Sequence, residues 1–236
     1  SNNNKICDLD LERFNKDSTK YTTLQRSVLI EFLKDKLFTN NFRFGKEVRK
    51  VSKIKDKILI NFSDNTNDLV DFIIVSDGVF SNTKSIIENI TIKPRYSGSV
   101  AIRTVIKLSE EFNYDSKNIS LIMFPNAHVV IYPINKRNDF NLVCIAREKF
   151  SQNYDIHSII KKKILSKNKN LENLFKSDLN LWPVYVTKKP IKSIHDNVFY
   201  LGDAFYTFVP ALAQGASQSI EAAYELFNLL SDNKKI

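Results

Sequence analysis

Helical periodicity is clearest near the two ends of the chain. From Tyr21 to Phe38 the apolar residues recur every three or four positions, which gives one apolar face and predicts a helix with Thr22 or Thr23 as its N-cap. Gln218 to Leu230 shows the same spacing, in a segment rich in Ala, Glu and Leu. Both segments are therefore expected to be amphipathic helices that each pack one side against a core.

Strand patterns occupy most of the chain between these helices. Runs of β-branched and aromatic residues bounded by polar turns predict strands. The first runs are Lys46–Ser52, Lys57–Ser63 and Leu69–Val75. Four further runs follow at turn-separated intervals, which favours an antiparallel sheet: Ser99–Ser109, Ile119–Phe124, His128–Ile134 and Phe140–Arg147. A lysine-rich helix over Ile156–Phe175 and a short strand over Asn197–Leu201 complete the pattern.

The order of these elements predicts an α/β protein of two domains, the first of which is discontinuous. Residues 1–92 and 183–236 are expected to form an α/β domain. Residues 93–182 are expected to form an inserted, mostly antiparallel β-sheet domain. No internal repeat or low-complexity linker divides the chain further.

Composition excludes several protein classes. The 236 residues are 43% hydrophobic and 11% aromatic, as in globular proteins, and no run approaches the ~18 apolar residues of a membrane span. The first residues have no apolar signal core, and Cys7 and Cys144, which lie far apart, match neither a metal pattern nor a disulfide framework. We therefore expect a cytoplasmic protein without a metal site; peripheral membrane contact and the oligomeric state stay open.

The net charge of +9 raises the question of nucleic-acid binding. The basic residues are scattered along the chain and acidic residues intervene throughout, which indicates a solvated basic surface more than a phosphate-binding patch. No nucleic-acid partner is expected, and at most this charge favours anionic substrates or cofactors.

Two strand-to-turn motifs carry the candidate chemistry. The strand Leu69–Val75 runs into Asp77 and Gly78, and the strand Asn197–Leu201 runs into Gly202 and Asp203. In open α/β sheets, ligands bind outside the carboxyl ends of the strands. Each motif alone is a common turn, but both together predict a ligand site that contains two carboxylates.

With their neighbours, these motifs resemble the FAD-dependent aromatic hydroxylases, the family of p-hydroxybenzoate, salicylate and ubiquinone-pathway hydroxylases. That family has a strand ending in A/G-D-G-x-x-S-x-x-R, a later strand ending in G-D-A, and then P-x-x-G-Q-G before a helix. The matching residues are Arg26 on the first helix, Asp77, Gly78, Ser81, Lys84, Gly202, Asp203, Ala204, Pro210, Gln214 and Gly215. The resemblance extends from Tyr21 to about Leu230.

The resemblance implies an FAD site and a role for each of its residues. Arg26 would pair with the pyrophosphate, and Asp203 would accept a hydrogen bond from a ribityl hydroxyl. Gly215 would let the backbone approach the flavin ring, with the unpaired N–H groups of the helix start at Gly215 and Ala216 beneath it. The remaining cofactor-binding candidates are Asp77, Gly78, Gly202, Pro210 and Gln214.

A second set of strands resembles the salicylate-hydroxylase-like members. Tyr96–Arg103 is similar to their Y-x-G-x-x-A-x-R strand, and His128–Pro133 to their H-x-x-x-Y-P strand. The resemblance implies that His128 deprotonates a phenolic substrate and that Tyr132 forms a pocket wall, because side chains two or four apart in a strand share one face. The alternative is that His128 only packs against its neighbours.

By this resemblance the chain would hydroxylate an aromatic or quinone-precursor substrate, with FAD as cofactor, NAD(P)H as reductant and O2 as the oxygen donor. The family's amino-terminal βαβ unit with its G-x-G-x-x-G turn has no counterpart here, so we expect that unit of ~30 residues upstream of Ser1. Other departures are Phe205-Tyr206 for Ala-His, Ala213 for Gly, and Ala222 for an acidic residue.

Other functions of the same fold stay open at this point. Flavin-dependent halogenases need a tryptophan motif in which Trp182 has no place, and isoprenoid reductases share the same framework. A non-catalytic relic that serves as a binding module is favoured by the absent G-x-G-x-x-G turn and by Tyr206 at the histidine position.

Overall fold

A computed structural model describes residues 5–10, 23–37, 42–107, 118–134, 139–210 and 213–231. It is a mixed α/β structure with antiparallel sheets, which confirms the coarse fold class. The chain divides into two compact units, Ser1–Asn40 with Gly98–Pro183 and Asn41–Ser97 with Val184–Ile236. This division differs from the predicted domains in residues 1–40, whose assignment to the cofactor domain stays a prediction.

A five-stranded sheet is the main layer of the 98–183 unit. Its strands are β5 (Arg95–Lys107), β6 (Ser120–Phe124), β7 (Ala127–Pro133), β8 (Asp139–Arg147) and β9 (Asn180–Val186), in the order β6-β7-β8-β5-β9. The β6–β7, β7–β8 and β5–β8 pairs are antiparallel, as predicted. Strand β9 was not predicted from the sequence, because Pro183 near its centre argues against a strand.

The core of this unit lies on one face of the sheet. Alternate residues of three neighbouring strands are almost completely buried there: Val100, Ile102, Val129, Ile131, Leu142 and Cys144. Helical segments cover them with side chains that include Ile160, Ile164 and Leu174. Burying this apolar surface stabilises the sheet–helix layer pair.

The covering segment is three short helical pieces where the sequence predicts a single helix over 156–175. Helix α3 (Ile156–Ile160) continues as a π-helix over Lys161–Leu165, and a 3₁₀-helix follows over Lys169–Phe175. The side chain of Asn168 accepts a hydrogen bond from the backbone N–H of Asn170 at 3.1 Å. This cap starts a new helix and explains the break in the predicted one.

The other unit contains two small sheets. Strands β1 (Val48–Ile54), β2 (Lys57–Phe62) and β3 (Asn67–Val70) form an antiparallel sheet in that order, and β4 (Ile73–Val75) pairs in parallel with β10 (Val198–Tyr200). The predicted single strand Leu69–Val75 is wrong in this respect, since β3 and β4 belong to different sheets. Asn197 Nδ2 donates to the carbonyl of Asp71 at 2.9 Å, at the point where the chain changes sheets.

Three further α-helices lie in the described residues. Helix α1 (Arg26–Asp35) is shorter than predicted, and its N-cap residue is Gln25. Thr23 is not the N-cap, and its hydroxyl donates to the carbonyl of Pro133 at 2.6 Å. Tyr21, Thr22 and Phe38 lie outside the described residues. Helix α2 (Asn82–Glu88) follows β4 in the sequence, and helix α4 (Gly215–Ser231) follows β10. None of the helices in the described ranges combines the length and apolar content needed to cross a bilayer.

Candidate functional site

The parallel pairing of β4 with β10 brings the two strand-to-turn motifs together. Val75 and Tyr200 are in register at the carboxyl ends of their strands, and the N–H of Leu201 donates to the carbonyl of Val75 at 2.9 Å. The segments that follow therefore leave the sheet at the same edge. This is the edge at which ligands bind in open α/β sheets.

The turn after β10 is fixed by a separate partner for each of three successive carbonyls. Gly202 O accepts from the N–H groups of Phe205 and Tyr206, both at 3.0 Å. Asp203 O accepts from the hydroxyl of Thr207 at 3.0 Å. The carbonyl of Ala204 accepts from Nζ of Lys84 at 2.6 Å. As a result Ala204 is fully buried, whereas Asp203 is exposed.

The turn after β4 leads into helix α2 through side-chain caps. The hydroxyl of Ser81 accepts from the N–H of Lys84 at 3.1 Å and caps the helix. A carboxylate oxygen of Asp77 accepts from the N–H of Thr83 at 3.4 Å. Gly78 has φ +89°, in the left-handed region that favours glycine. The serine and glycine of the first motif thus have local structural roles.

Two charged residues of helix α2 make hydrogen bonds with distant segments around β10, and the sequence pattern predicts a role for neither. Lys84 stands at the arginine position of the first motif. Its side chain is 1% exposed, and burial lowers the pKa of its ammonium while the nearby charge of Asp77 opposes that shift. Glu88 accepts from Ser193 Oγ at 2.7 Å and from the hydroxyl of Tyr200. Burial, followed by the bond to Glu88, raises the pKa of Tyr200.

A cavity of about 470 Å³ opens beside the second motif. The residues that line it include two glycines, an acidic residue, a basic residue and two aromatic residues: Gly202, Gly215, Asp203, Lys188, Phe205 and Tyr206. An acidic residue, a basic residue and aromatic residues therefore line one space. Such a mixture suits a ligand that has both a planar ring and polar or anionic groups.

The start of helix α4 forms one wall of this cavity. A Cβ atom added at Gly215 would meet no heavy atom within 4 Å, so open space lies above the first turn of the 17-residue helix. Gly202 is the opposite case: it has φ +56°, and an added Cβ would lie 2.9 Å from Ser219 Oγ. Gly215 therefore leaves room for a ligand, and Gly202 allows the turn to pack against the helix.

The segment before helix α4 contains Pro210, Gln214 and a residue in an unfavourable backbone conformation. The carbonyl of Pro210 accepts from the N–H of Ala213 at 3.4 Å, and that of Gln214 accepts from the N–H of Gln218 at 3.0 Å. Ala213 has φ +52°, although alanine is strained in the left-handed region. Ala213 stands at the position of the first glycine in the family's P-x-x-G-Q-G motif. Ala216 is exposed in the first turn of the helix.

The remaining predicted site residues lie in the 98–183 unit or on helix α1. His128 and Tyr132 share one face of β7, opposite the buried Val129 and Ile131. His128 is half-buried, which lowers its pKa below the usual value, and the hydroxyl of Tyr132 accepts from Asn141 Nδ2 at 2.7 Å. Arg26 is the exposed first residue of α1. Within the described ranges no group of three or more His, Cys, Asp or Glu side chains could hold a metal ion.

Comparison with known proteins gives a consistent set of relatives. The chain is 24% identical over 223 residues to 3-amino-4-hydroxybenzoate 2-monooxygenase of Streptomyces cremeus, covering 89% of this chain and 54% of that protein. It is 22% identical over 239 residues to a salicylate hydroxylase of Pseudomonas putida, with 90% and 55% covered. The chain thus spans about half the length of these relatives. No family model matches it.

Solved structures show the same relationship at the level of the fold. A salicylate hydroxylase substrate complex superposes with a TM-score of 0.73 at 18% identity, over 89% of this chain and 58% of that one. Klebsiella pneumoniae HpxO, complexed with FAD and uric acid, superposes with a TM-score of 0.68 at 18% identity, over 84% and 51%. Together these similarities confirm the resemblance to FAD-dependent aromatic hydroxylases that the sequence motifs indicate.

Proposed function

From its similarity in sequence and fold to the FAD-dependent aromatic hydroxylases, we infer that this chain works in an FAD-dependent monooxygenase. The enzyme hydroxylates an aromatic or quinone-precursor substrate with NAD(P)H and O2. The observation that carries this proposal is the meeting of Asp77–Gly78 with Gly202–Asp203 at the end of one parallel strand pair. The order of these motifs along the chain is the order in the family.

The residues beside the cavity fit a flavin. Asp203 is an exposed carboxylate at the cavity wall and can accept a hydrogen bond from a ribityl hydroxyl. Gly215 leaves open space above the start of α4, where N–H groups and the positive end of the helix dipole favour a ligand with negative charge. When bound, FAD supplies the redox chemistry, and these residues bind and orient it.

Other residues have supporting roles in the proposed flavin site. Asp77 and Gly78 shape the neighbouring turn, and Pro210, Gln214 and Ala216 shape the approach to the flavin ring. Arg26 would neutralise the pyrophosphate. Residues 1–92 and 183–236 would serve as the cofactor domain, as the sequence predicts, with the antiparallel sheet of residues 93–182 inserted as the substrate domain.

The substrate side of the proposal depends on His128 and Tyr132. Burial lowers the pKa of His128, so its imidazole is neutral at physiological pH and can accept a proton from a phenol. Tyr132 is held by Asn141 and presents an aromatic ring on the same strand face. Relatives whose names include salicylate and hydroxybenzoate support a small aromatic substrate for this chain.

A catalytic assay with product analysis tests the proposal. The native protein is incubated with NAD(P)H, a panel of phenols and aromatic acids, and isotopically labelled O2. We expect NAD(P)H oxidation that at least one aromatic compound stimulates, with one labelled oxygen atom in a hydroxylated product. Asp203→Asn should lose bound flavin and activity, whereas Asp196→Asn, an exposed aspartate near β10, should retain both.

The other outcomes separate the rival functions. Flavin-dependent NAD(P)H oxidation without labelled product contradicts hydroxylation and favours a reductase. Halide-dependent product formation favours a halogenase. A native protein that contains no flavin and oxidises no NAD(P)H favours the non-catalytic binding module that Tyr206 at the histidine position suggests.

A further inference from the structure

Lys84 is a buried charge that needs a structural explanation. Its side chain is 1% exposed in helix α2, an environment in which lysine is seldom found. Removing an ammonium group from water costs free energy unless hydrogen bonds and opposite charge compensate for it. Here the ammonium donates to the carbonyl of Ala204 at 2.6 Å, 120 residues further along the chain.

The bond to Ala204 fixes a particular part of the turn. The carbonyls of Gly202 and Asp203 accept from donors within residues 205–207, so the turn satisfies them by itself. Ala204 is different, because its carbonyl accepts from another element of the structure. The bond turns this carbonyl towards α2, and the preceding residue, Asp203, is exposed at the wall of the cavity.

Helix α2 also contacts the other motif. The N–H of Thr83, next to Lys84, donates to Asp77, and the charge of Asp77 acts on the Lys84 ammonium. The same helix turn is therefore tied both to the segment after β4 and to the segment after β10. A change at Lys84 would alter the relative positions of the two motifs that define the site.

We propose that Lys84 is a positioning residue, whose ammonium holds the Gly202–Ala204 turn so that the Asp203 carboxylate is presented to FAD. This inference rests on the proposed flavin site and adds to it a residue that does not touch the cofactor. The N–H donor is the essential property, because the carbonyl acceptor is buried and an apolar side chain would leave it without its partner.

The test compares Lys84→Met, Lys84→Arg and a control, Lys50→Met, which removes one exposed lysine of β1. FAD affinity is measured after removal of the native flavin, and the visible circular dichroism of bound flavin reports its orientation. We expect Lys84→Met to weaken FAD binding by about ten-fold or more, the scale of a lost charge-assisted hydrogen bond, and to alter the flavin spectrum. Lys84→Arg should restore most of the affinity, and Lys50→Met should match the native protein.

Hydrogen exchange in the flavin-free protein separates this proposal from the proposed function. Lys84→Met should speed exchange at the amides of Phe205 and Tyr206, whose N–H groups donate to the Gly202 carbonyl within the turn. Native FAD affinity and native exchange in Lys84→Met would overturn the proposal. If Lys84→Met does not fold, a folded Lys84→Arg that binds FAD ten-fold or more weakly would overturn it. Absence of FAD binding by the native protein would instead overturn the proposed flavin site.

Discussion

At the scale of single residues, the candidate site is shaped by backbone groups as much as by side chains. Three successive carbonyls between Gly202 and Ala204 each have a hydrogen-bond partner, and this arrangement leaves the carboxylate of Asp203 exposed. Since an unpaired buried carbonyl is costly, the turn has little freedom to rearrange. If Asp203 binds a ligand as proposed, the fixed backbone would place this residue before the ligand binds, which would reduce the entropic cost of binding.

His128 gives a prediction at this scale. Because burial lowers its pKa, the imidazole is neutral at neutral pH and gains a proton only when the pH falls through that lowered pKa. With a phenolic substrate, kcat/KM should fall as the pH is lowered through this value, since only the neutral imidazole accepts a proton. His128→Gln should reduce kcat/KM by about 100-fold and abolish this part of the pH profile.

His157→Gln is the matched control, because His157 is an exposed histidine of helix α3 in the same unit. It should retain the native rate and the native pH profile. A His128→Gln variant with an unchanged profile would show that His128 only packs against its neighbours on the strand.

Sequence patterns identify some of these residues and miss others. Asp77 and Asp203 stand directly after apolar runs, so a strand-end site could be predicted from their positions. Lys84 could not, because lysine is normally a surface residue and nothing local indicates that Nζ meets a carbonyl 120 residues away. Glu88 was missed for the same reason, since its partners Ser193 and Tyr200 are equally distant in the chain.

At the scale of secondary-structure elements, the contact between the turn after β10 and the start of α4 depends on the absence of a side chain. Gly202→Ala would introduce a Cβ 2.9 Å from Ser219 Oγ at a residue with φ +56°. The hydroxyl cannot rotate away freely, because it donates to the carbonyl of Gly215 at 2.7 Å. We expect the free energy of unfolding to fall by about 1–2 kcal/mol because alanine is strained in the left-handed region. The steric contact with Ser219 should lower it further.

Thermal unfolding of Gly202→Ala, Ser219→Ala and the double variant measures both contributions. In the Gly202→Ala background, Ser219→Ala should remove the steric contact but not the backbone strain. The double variant should therefore be more stable than Gly202→Ala and less stable than Ser219→Ala. If Gly202→Ala unfolds at the native temperature, the turn and the helix do not pack as described.

Element boundaries were predictable where the pattern is local. Alternation along β7 and β8 predicted both strands to within a residue, because each has one buried and one open face. The division of Leu69–Val75 into β3 and β4 was not predictable, since it depends on pairing with β2 and with the distant β10. Pro183 concealed β9, and a cap at Asn168 divided what the sequence pattern predicts as one helix.

At the scale of the whole molecule, the mixed α/β class and the antiparallel sheet follow from the order of the patterns. The grouping of residues 1–40 with residues 98–183 could not be predicted from the sequence, because contacts between distant segments leave no periodic signal. The similarity to FAD-dependent hydroxylases was recognisable from three ordered motifs, and relatives at 22–24% identity over about 90% of the chain agree with it. Their names include a monooxygenase and a hydroxylase, and the meeting of the two strand ends gives the proposed flavin site a location.

The most direct measurement is the FAD content of the native protein, purified from its source without added flavin. Release of the cofactor by denaturation, followed by chromatography and absorption spectroscopy, gives the ratio of FAD to polypeptide. We expect about one FAD for each chain, since one pair of strand ends forms one site. A purified, folded protein that contains no flavin and does not bind added FAD would contradict the central claim that this site binds the cofactor of a monooxygenase.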